Sequence, residues 1–273
     1  MNTQHSITRL GTTLHYWLSG PDGGPVMALA HGATLDHHTF DAQIDPLVQK
    51  GYRVLTWDLR GHGKSTPIGE AINIAILADD LKAILDEIGA REAILVGHSF
   101  GGFIVQEFTH RFPERVRGLV VVGATNLAKK SSFWTRQLFR IFPGLLSRMS
   151  LDEFRRRTLE NLSLTQPIKE YAAQAMEVIS KDDFIAITIA GIAALWLDSG
   201  FAPDYAVRKP FLLTHGDQDR ANGNVYAKQA KAWAAREPDC RYEVIPNAGH
   251  TAHMDNPAGF NKILLNFLES HLP

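Results

Sequence analysis

Ala93-Ile94-Leu95-Val96-Gly97-His98-Ser99-Phe100-Gly101 is the stretch on which the reading of this chain turns. Four apolar residues lead into a serine framed by two glycines, and a helical pattern over 101–112 follows at once. Strand, sharp turn and helix in that order make a nucleophile elbow. G-x-S-x-G arises by chance fairly often, and it is the strand-turn-helix context that sets this one apart from a mere tight turn. Such a turn holds its central residue in a strained backbone conformation, and the flanking glycines remove side chains that would collide with neighbouring elements. Ser99 Oγ would then project at a helix N-terminus, where backbone N–H groups and the helix dipole favour an oxyanion.

Outward from the elbow, short apolar runs at 26–31, 52–58, 116–124 and 211–215 read as further strands. Most are almost continuously apolar, as strands buried on both faces of a parallel sheet are. A shorter run at 241–246 supplies a last strand. Helical periodicity fits 74–88, 101–112, 225–236 and 257–271, with Pro257 suited to a first-turn position. This alternation predicts an α/β fold, with parallel strands joined by crossover helices on both faces. The opening runs 7–10 and 13–18, split by Gly11, predict an antiparallel hairpin on the sheet edge.

The alternation stops after Ala124 and resumes near Pro210. Connections in α/β units usually span about 2–6 residues, so the interval must be an inserted element. Phe133, Trp134, Leu138, Ile141 and Phe142 recur at helical spacing until Pro143-Gly144, where the run should break. Segments 152–162 and 168–180 predict further helices, and Asp182-Asp183 should cap the apolar stretch 184–197. The expected organisation is a core of residues 1–125 and 205–273 with a helical cap, 126–204, over one end of the sheet.

Composition narrows the function classes. With 45% hydrophobic and 21% charged residues among 273, the chain has the balance of an ordinary globular protein with one large core. A formal net charge of -1 and the lack of a Lys/Arg tract argue against a nucleic-acid partner. Cys240 stands alone, which excludes a disulfide within the chain and a cysteine-based metal site. Residues 1–10 show no basic start followed by an apolar run, so no secretory signal is visible. The stretch 184–197 is interrupted by Thr188 and Gly191 and is shorter than the roughly 20 residues of a membrane span. A cytoplasmic enzyme is the expectation.

In these motifs the chain resembles the α/β-hydrolase superfamily in its capped esterase, lactonase and C–C hydrolase branch. His31-Gly32 matches the family's H-G turn, Asp58-Leu59-Arg60-Gly61-His62-Gly63-Lys64-Ser65 its D-x-R-G-x-G-x-S segment. Gly216-Asp217-Gln218-Asp219 and Gly249-His250 match its acid and histidine motifs, in the family order of Ser, acid, His. The resemblance implies Ser99 as nucleophile and His250 as the base, with His253 the local rival. Asp217 and Asp219 are both available as the acid; the family's G-x-x-D spacing from Gly216 selects Asp219 and leaves Asp217 to stabilise the turn. It further implies an oxyanion hole from the backbone N–H groups of Phe100 and Ala33, with His31, His62 and His98 structural. No cofactor is implied. A metal site, suggested faintly by His215-x-Asp217 and His250-x-x-His253, is set aside because the triad uses the same residues and no H-E-x-x-H helix is present.

Dehalogenases and epoxide hydrolases of this fold attack with Asp, and the elbow here carries Ser99. Epoxide hydrolases also usually show His-Gly-x-Pro, whereas His31-Gly32 continues into Ala33-Thr34. The reading is therefore a serine hydrolase, of carboxylesterase type, acting on a small-molecule ester or lactone. C–C bond hydrolysis, lactone opening and a non-enzymatic ligand receptor remain the alternatives, because fold does not fix function. In the cap, eight Lys/Arg (129, 130, 136, 140, 148, 155, 156, 157) face only Asp152 and Glu153 between 129 and 157. They either draw anionic substrates or a carrier-protein partner toward the cleft or form a solvated face. Phe133, Trp134 and Trp196 either line an apolar pocket or pack the cap itself.

Overall fold

The computed structural model of the chain describes residues 3–128, 132–197, 201–202, 204–220 and 225–272. Among them, eight strands join in one sheet: β1 (Thr3–Arg9), β2 (Thr12–Ser19), β3 (Val26–Ala30), β4 (Arg53–Trp57), β5 (Ala93–His98), β6 (Val116–Val122), β7 (Phe211–Gly216) and β8 (Cys240–Ile245). Their spatial order is β1-β2-β4-β3-β5-β6-β7-β8. Strands β3 to β8 are mutually parallel, and β2 alone pairs antiparallel, with β1 on one side and β4 on the other. The hairpin at the edge turns on Leu10 and Gly11, both at positive φ (47° and 73°), the geometry of a type I′ turn.

The helices are α1 (Asp41–Gln49), α2 (Ile74–Glu87), α3 (Phe100–Arg111), α4 (Phe133–Leu146), α5 (Leu151–Leu162), α6 (Gln166–Ala175), α7 (Lys181–Trp196), α8 (Val225–Ala234), the single turn α9 (Ala252–Asp255) and α10 (Pro257–His271). Side chains alternate along each central strand, and that period of two sorts the core into two layers. Ala93, Leu95, Leu119 and Val121 pack with Leu77, Leu81, Ile104 and Phe108 of α2 and α3. Ile94, Val96, Val120 and Val122 pack on the other face with Leu47 of α1 and Phe260, Leu264 and Phe267 of α10. Both faces are covered, and this explains why these strands are apolar almost throughout.

Between β6 and β7 lie α4, α5, α6 and α7, where the interrupted alternation predicts an insertion. Two local expectations need correction. Pro143-Gly144 does not end the run: α4 continues to Leu146. Proline removes one backbone donor, which leaves the Phe139 carbonyl without its helical partner, but the buried Leu146 and half-buried Phe142 keep the last turn on the inner face. Helix α7 starts three residues before Phe184, and its N-cap is Ser180, whose Oγ accepts from Asp183 N at 3.1 Å. Asp182 and Asp183 lie instead in the first turn, where their charges favour the positive end of the helix dipole. Helix α1, with Pro46 in its interior, carried no readable pattern.

The Asp58–Ser65 segment ties the antiparallel edge to the parallel sheet. Asp58 accepts from His37 N (2.9 Å), His37 Nδ1 (2.7 Å) and Lys64 N (2.7 Å), and Gly63 comes so close that a Cβ there would sit 2.3 Å from Asp58 Oδ2. Arg60 is fully buried and spends its donors on both oxygens of Asp80 (2.8 and 2.9 Å) and on the Arg9, Leu10 and Ile68 carbonyls. A buried guanidinium persists when it is paired and its other N–H groups are satisfied, and this one is.

Candidate active site

Ser99 stands at the turn between β5 and α3 with φ 50° and ψ -113°, a conformation that costs a non-glycine residue energy. The neighbours explain why the turn tolerates nothing larger beside it. A Cβ on Gly97 would lie 2.4 Å from Gly101 O, and one on Gly101 would lie 2.1 Å from Ala30 O. Packing against β3 and β6 holds the strain in place, with Ser99 N donating to Val122 O at 2.9 Å.

His250 follows β8 and reaches back across the sheet ends. Its Nε2 is 2.9 Å from Ser99 Oγ, and its Nδ1 is 3.0 Å from Asp219 Oδ2. A carboxylate can only accept, so Nδ1 carries the proton and the bare Nε2 accepts from the Ser99 hydroxyl. Asp219 and His250 are both buried. Asp217 points elsewhere: its Oδ1 accepts from Ala248 N at 3.0 Å and closes the turn beside β7. Gly123, at φ 58°, passes so near the pair that a Cβ there would press on His250 Nδ1 at 3.3 Å and on Asp219 Oδ2 at 3.4 Å.

The backbone around His250 is pinned on three consecutive residues. Gly249 N donates to Asp255 Oδ2 (2.8 Å), His98 Nε2 donates to His250 O (3.0 Å), and Thr251 N donates to Leu162 O (3.0 Å). Asp255 also accepts from Ser163 Oγ and from Leu164 N at 3.2 Å, so one carboxylate joins the His250 loop to the end of α5. Asp255 and Thr251 leave no local signal, since their partners Ser163, Leu164 and Leu162 lie about ninety residues away.

Gly32, Ala33, Ser99, Phe100 and His250 line one side of a cavity of about 310 Å³. Phe184, Ile187, Thr188, Gly191, Ile192 and Leu195 of α7 also line it, which accounts for an apolar helix on the cleft side. Arg157, Thr158 and Asn161 of α5 also reach it. Phe100 opens α3, so its amide is one of the first-turn donors with no carbonyl a turn earlier in the helix. A Cβ on Gly32 would be 3.4 Å from Ser99 Cβ, so the His31–Ala33 turn runs directly beside the serine.

Phe133 and Trp134 do not line the cavity; they are exposed and stack edge to face on each other at 5.4 Å. Trp196 packs on Phe142 at 5.5 Å. Of the basic cluster, Arg156 and Arg157 pair with Glu153, Arg156 also with Glu160, and Arg155 donates to Met176 O. Lys129 and Lys130 lie outside the described residues, as do the side chains of Arg136 and Arg140. His215 donates from Nδ1 to Gly216 O and accepts at Nε2 from Tyr242 OH, both at 2.7 Å.

Besides His250, His31, His62, His98 and His253 are buried. His31 accepts from Leu59 N at 2.9 Å and donates to Gly32 O at 2.7 Å, and His62 packs edge-on to it. His253 lies between Phe40 and His98. Burial disfavours the charged imidazolium of all four: it lowers His31, pushes His62 and His253 down to about 3, and holds His98 well below its usual value. Each stays neutral when folded but takes a proton when unfolded below about pH 6.5. The stability they give is present above that pH and is lost as pH falls through it. His62 and His253, held near 3, each contribute about 1.4 kcal/mol per pH unit between about pH 6.5 and that value. Urea titrations at pH 7.5, 6.0 and 5.0 are expected to show unfolding free energy dropping by more than one such increment per unit. A flat profile would contradict neutral burial of this group.

Comparison with known proteins places the chain in a fold family. The family model described as alpha/beta hydrolase fold matches residues 25–257. Epoxide hydrolase 3 of Xenopus tropicalis is 28% identical, over 97% of this chain and 78% of that protein. A non-heme haloperoxidase of Rhodococcus erythropolis is 29% identical, over 95% of this chain and 97% of that one. The crystal structure of a thermophilic esterase from Thermogutta terrifontis superposes with a TM-score of 0.81 at 23% identity, covering 98% of both chains, and at that identity it speaks for the fold. Among the described residues, no helix is long and apolar enough to cross a membrane.

Proposed function

Because the chain belongs to the α/β-hydrolase fold family, we propose that it is a serine hydrolase cleaving carboxylic ester-like bonds of small to medium substrates through an acyl-enzyme at Ser99. The observation that carries this reading is the unbroken hydrogen-bonded line from Ser99 Oγ through His250 to Asp219. In the first step His250 Nε2 takes the Ser99 proton while Oγ attacks the ester carbonyl. The Phe100 and Ala33 amides receive the oxyanion as it forms, and the imidazolium returns its proton to the departing alcohol. Water, deprotonated by the same nitrogen, then releases the acid and restores Ser99. Asp219 keeps the imidazole in the tautomer this needs and stabilises it when charged. Residues 1–125 and 205–273 act as the catalytic core, with 126–204 as the cap that walls the acyl pocket. Attack by an aspartate, as the resemblance implies for epoxide hydrolases, has no matching residue at the elbow.

The cavity's apolar wall and limited volume favour medium acyl groups. Each methylene contributes up to about 0.8 kcal/mol while it still fits. On nitrophenyl esters, kcat/KM is expected to rise from acetate, peak between about butyrate and octanoate, and fall by palmitate. A profile still climbing at palmitate would contradict a closed pocket. A fluorophosphonate adduct at Ser99 without ester turnover would redirect the reading to lactone or C–C bond cleavage on the same residues. With neither adduct nor turnover, the enzyme reading is withdrawn in favour of a receptor.

A further inference from the structure

Helix α4 presents its most apolar face to solvent. Phe133 (65% exposed), Trp134 (78%), Leu138 (47%), Ile141 (60%) and Leu145 (49%) lie on it, and they are five of the nine large hydrophobic side chains exposed among the described residues. At 100° per residue, Trp134, Leu138, Ile141 and Leu145 fall within one narrow stripe, and Phe133 extends it at the N-terminal end. Single exposed apolar residues need no explanation, but a continuous stripe of this size marks an interaction surface.

Charge identifies the occupant. Residues 129–148 carry Lys129, Lys130, Arg136, Arg140 and Arg148 and no Asp or Glu, on a chain whose formal net charge is -1. A short helix with Trp, Phe, Leu and Ile on one side and a purely cationic complement of charges fits the plane of an anionic bilayer surface. Trp134 is suited to the headgroup level, where an amphipathic ring meets both apolar and wet surroundings. A second observation concerns the inner side of the same helix. Phe142 and Leu146 of that side, with Leu145 of the exposed stripe and Met149 beyond the helix end, line an apolar groove of about 450 Å³, and this groove shares Arg157, Thr158, Phe184 and Thr188 with the cavity that holds Ser99. The groove beside the stripe and the cavity that holds Ser99 therefore share a wall.

We infer that α4 is a membrane-surface helix that docks this protein, peripherally and reversibly, on anionic lipid bilayers. The docking does not rest on the hydrolase reading and is measured without turnover. Cosedimentation of the full chain with vesicles of phosphatidylcholine plus phosphatidylglycerol is the test, with pure phosphatidylcholine vesicles alongside. Binding is expected to anionic vesicles, to weaken as salt rises, and to be lower by more than about tenfold on neutral ones. The double variants Phe133→Ser with Trp134→Ser, and Leu138→Ser with Ile141→Ser, are each expected to lose at least about tenfold in partitioning. These side chains are exposed, so the variants should keep the wild-type circular dichroism and melting temperature. Trp134 emission should shift to the blue on adding anionic vesicles, and Trp134→Phe should abolish that shift while still cosedimenting. Equal binding to neutral and anionic vesicles, or binding untouched by either double variant, overturns the inference. So does a dimer in sedimentation velocity that the same variants convert to monomer, since the stripe would then be covered by a second copy of this chain.

Discussion

Replacing Ser99 by Ala is expected to lower kcat on nitrophenyl esters by about a millionfold while leaving the protein folded. The size follows from what the hydroxyl does. In the proposed mechanism Ser99 Oγ is the atom that bonds the carbonyl carbon, and His250 Nε2, 2.9 Å away, would have no other nucleophile to activate except water. Removing it leaves the oxyanion donors and the pocket, which in triads elsewhere sustain about a thousand- to ten-thousandfold acceleration over water. Folding should survive, because alanine tolerates the turn no worse than serine and the Ser99 N to Val122 O bond is untouched. Intact mass after fluorophosphonate should show one adduct on the wild type, mapped to Ser99, and none on the variant. Normal turnover by the alanine variant, or an adduct elsewhere, would end the proposal.

Local readings carried furthest where the backbone admits few residue types. Gly97 and Gly101 announced the elbow because nothing larger fits beside Gly101 O or Ala30 O. The β-strands announced themselves because both their faces are covered, which forces nearly unbroken apolar runs. Helix α1 escaped notice because it has little pattern: Gln43 is one of its two buried residues, held by bonds to His253 O and Asn261 Oδ1 more than two hundred residues away. For α4, periodicity gives an apolar side but leaves its destination open between a pocket and the packing of the insertion, and Phe133, Trp134, Leu138 and Ile141 face solvent. Asp255 could not be read at all, since its partners Gly249, Ser163 and Leu164 come together only when α5 meets the His250 loop.

The two carboxylates of Gly216-Asp217-Gln218-Asp219 should separate cleanly by mutation. Asp219 Oδ2 lies 3.0 Å from His250 Nδ1, in a buried setting where a carboxylate both fixes the tautomer and offsets the imidazolium charge. An asparagine there keeps the shape but can turn its amide toward Nδ1, which then becomes the acceptor and leaves Nε2 protonated and unable to take the serine proton. Asp219→Asn is therefore expected to lose about ten-thousandfold in kcat. The loss should shrink as pH rises, because hydroxide can stand in for the missing base. Asp217→Asn keeps an oxygen for the Ala248 N–H and stands outside the triad, so it should lose less than about tenfold and show its effect mainly in stability. Measuring kcat/KM and the urea midpoint for both variants tests the assignment. With both proteins folded, a larger catalytic loss at Asp217 would transfer the acid to it, and equal losses would show that the turn as a whole, rather than one carboxylate, positions His250.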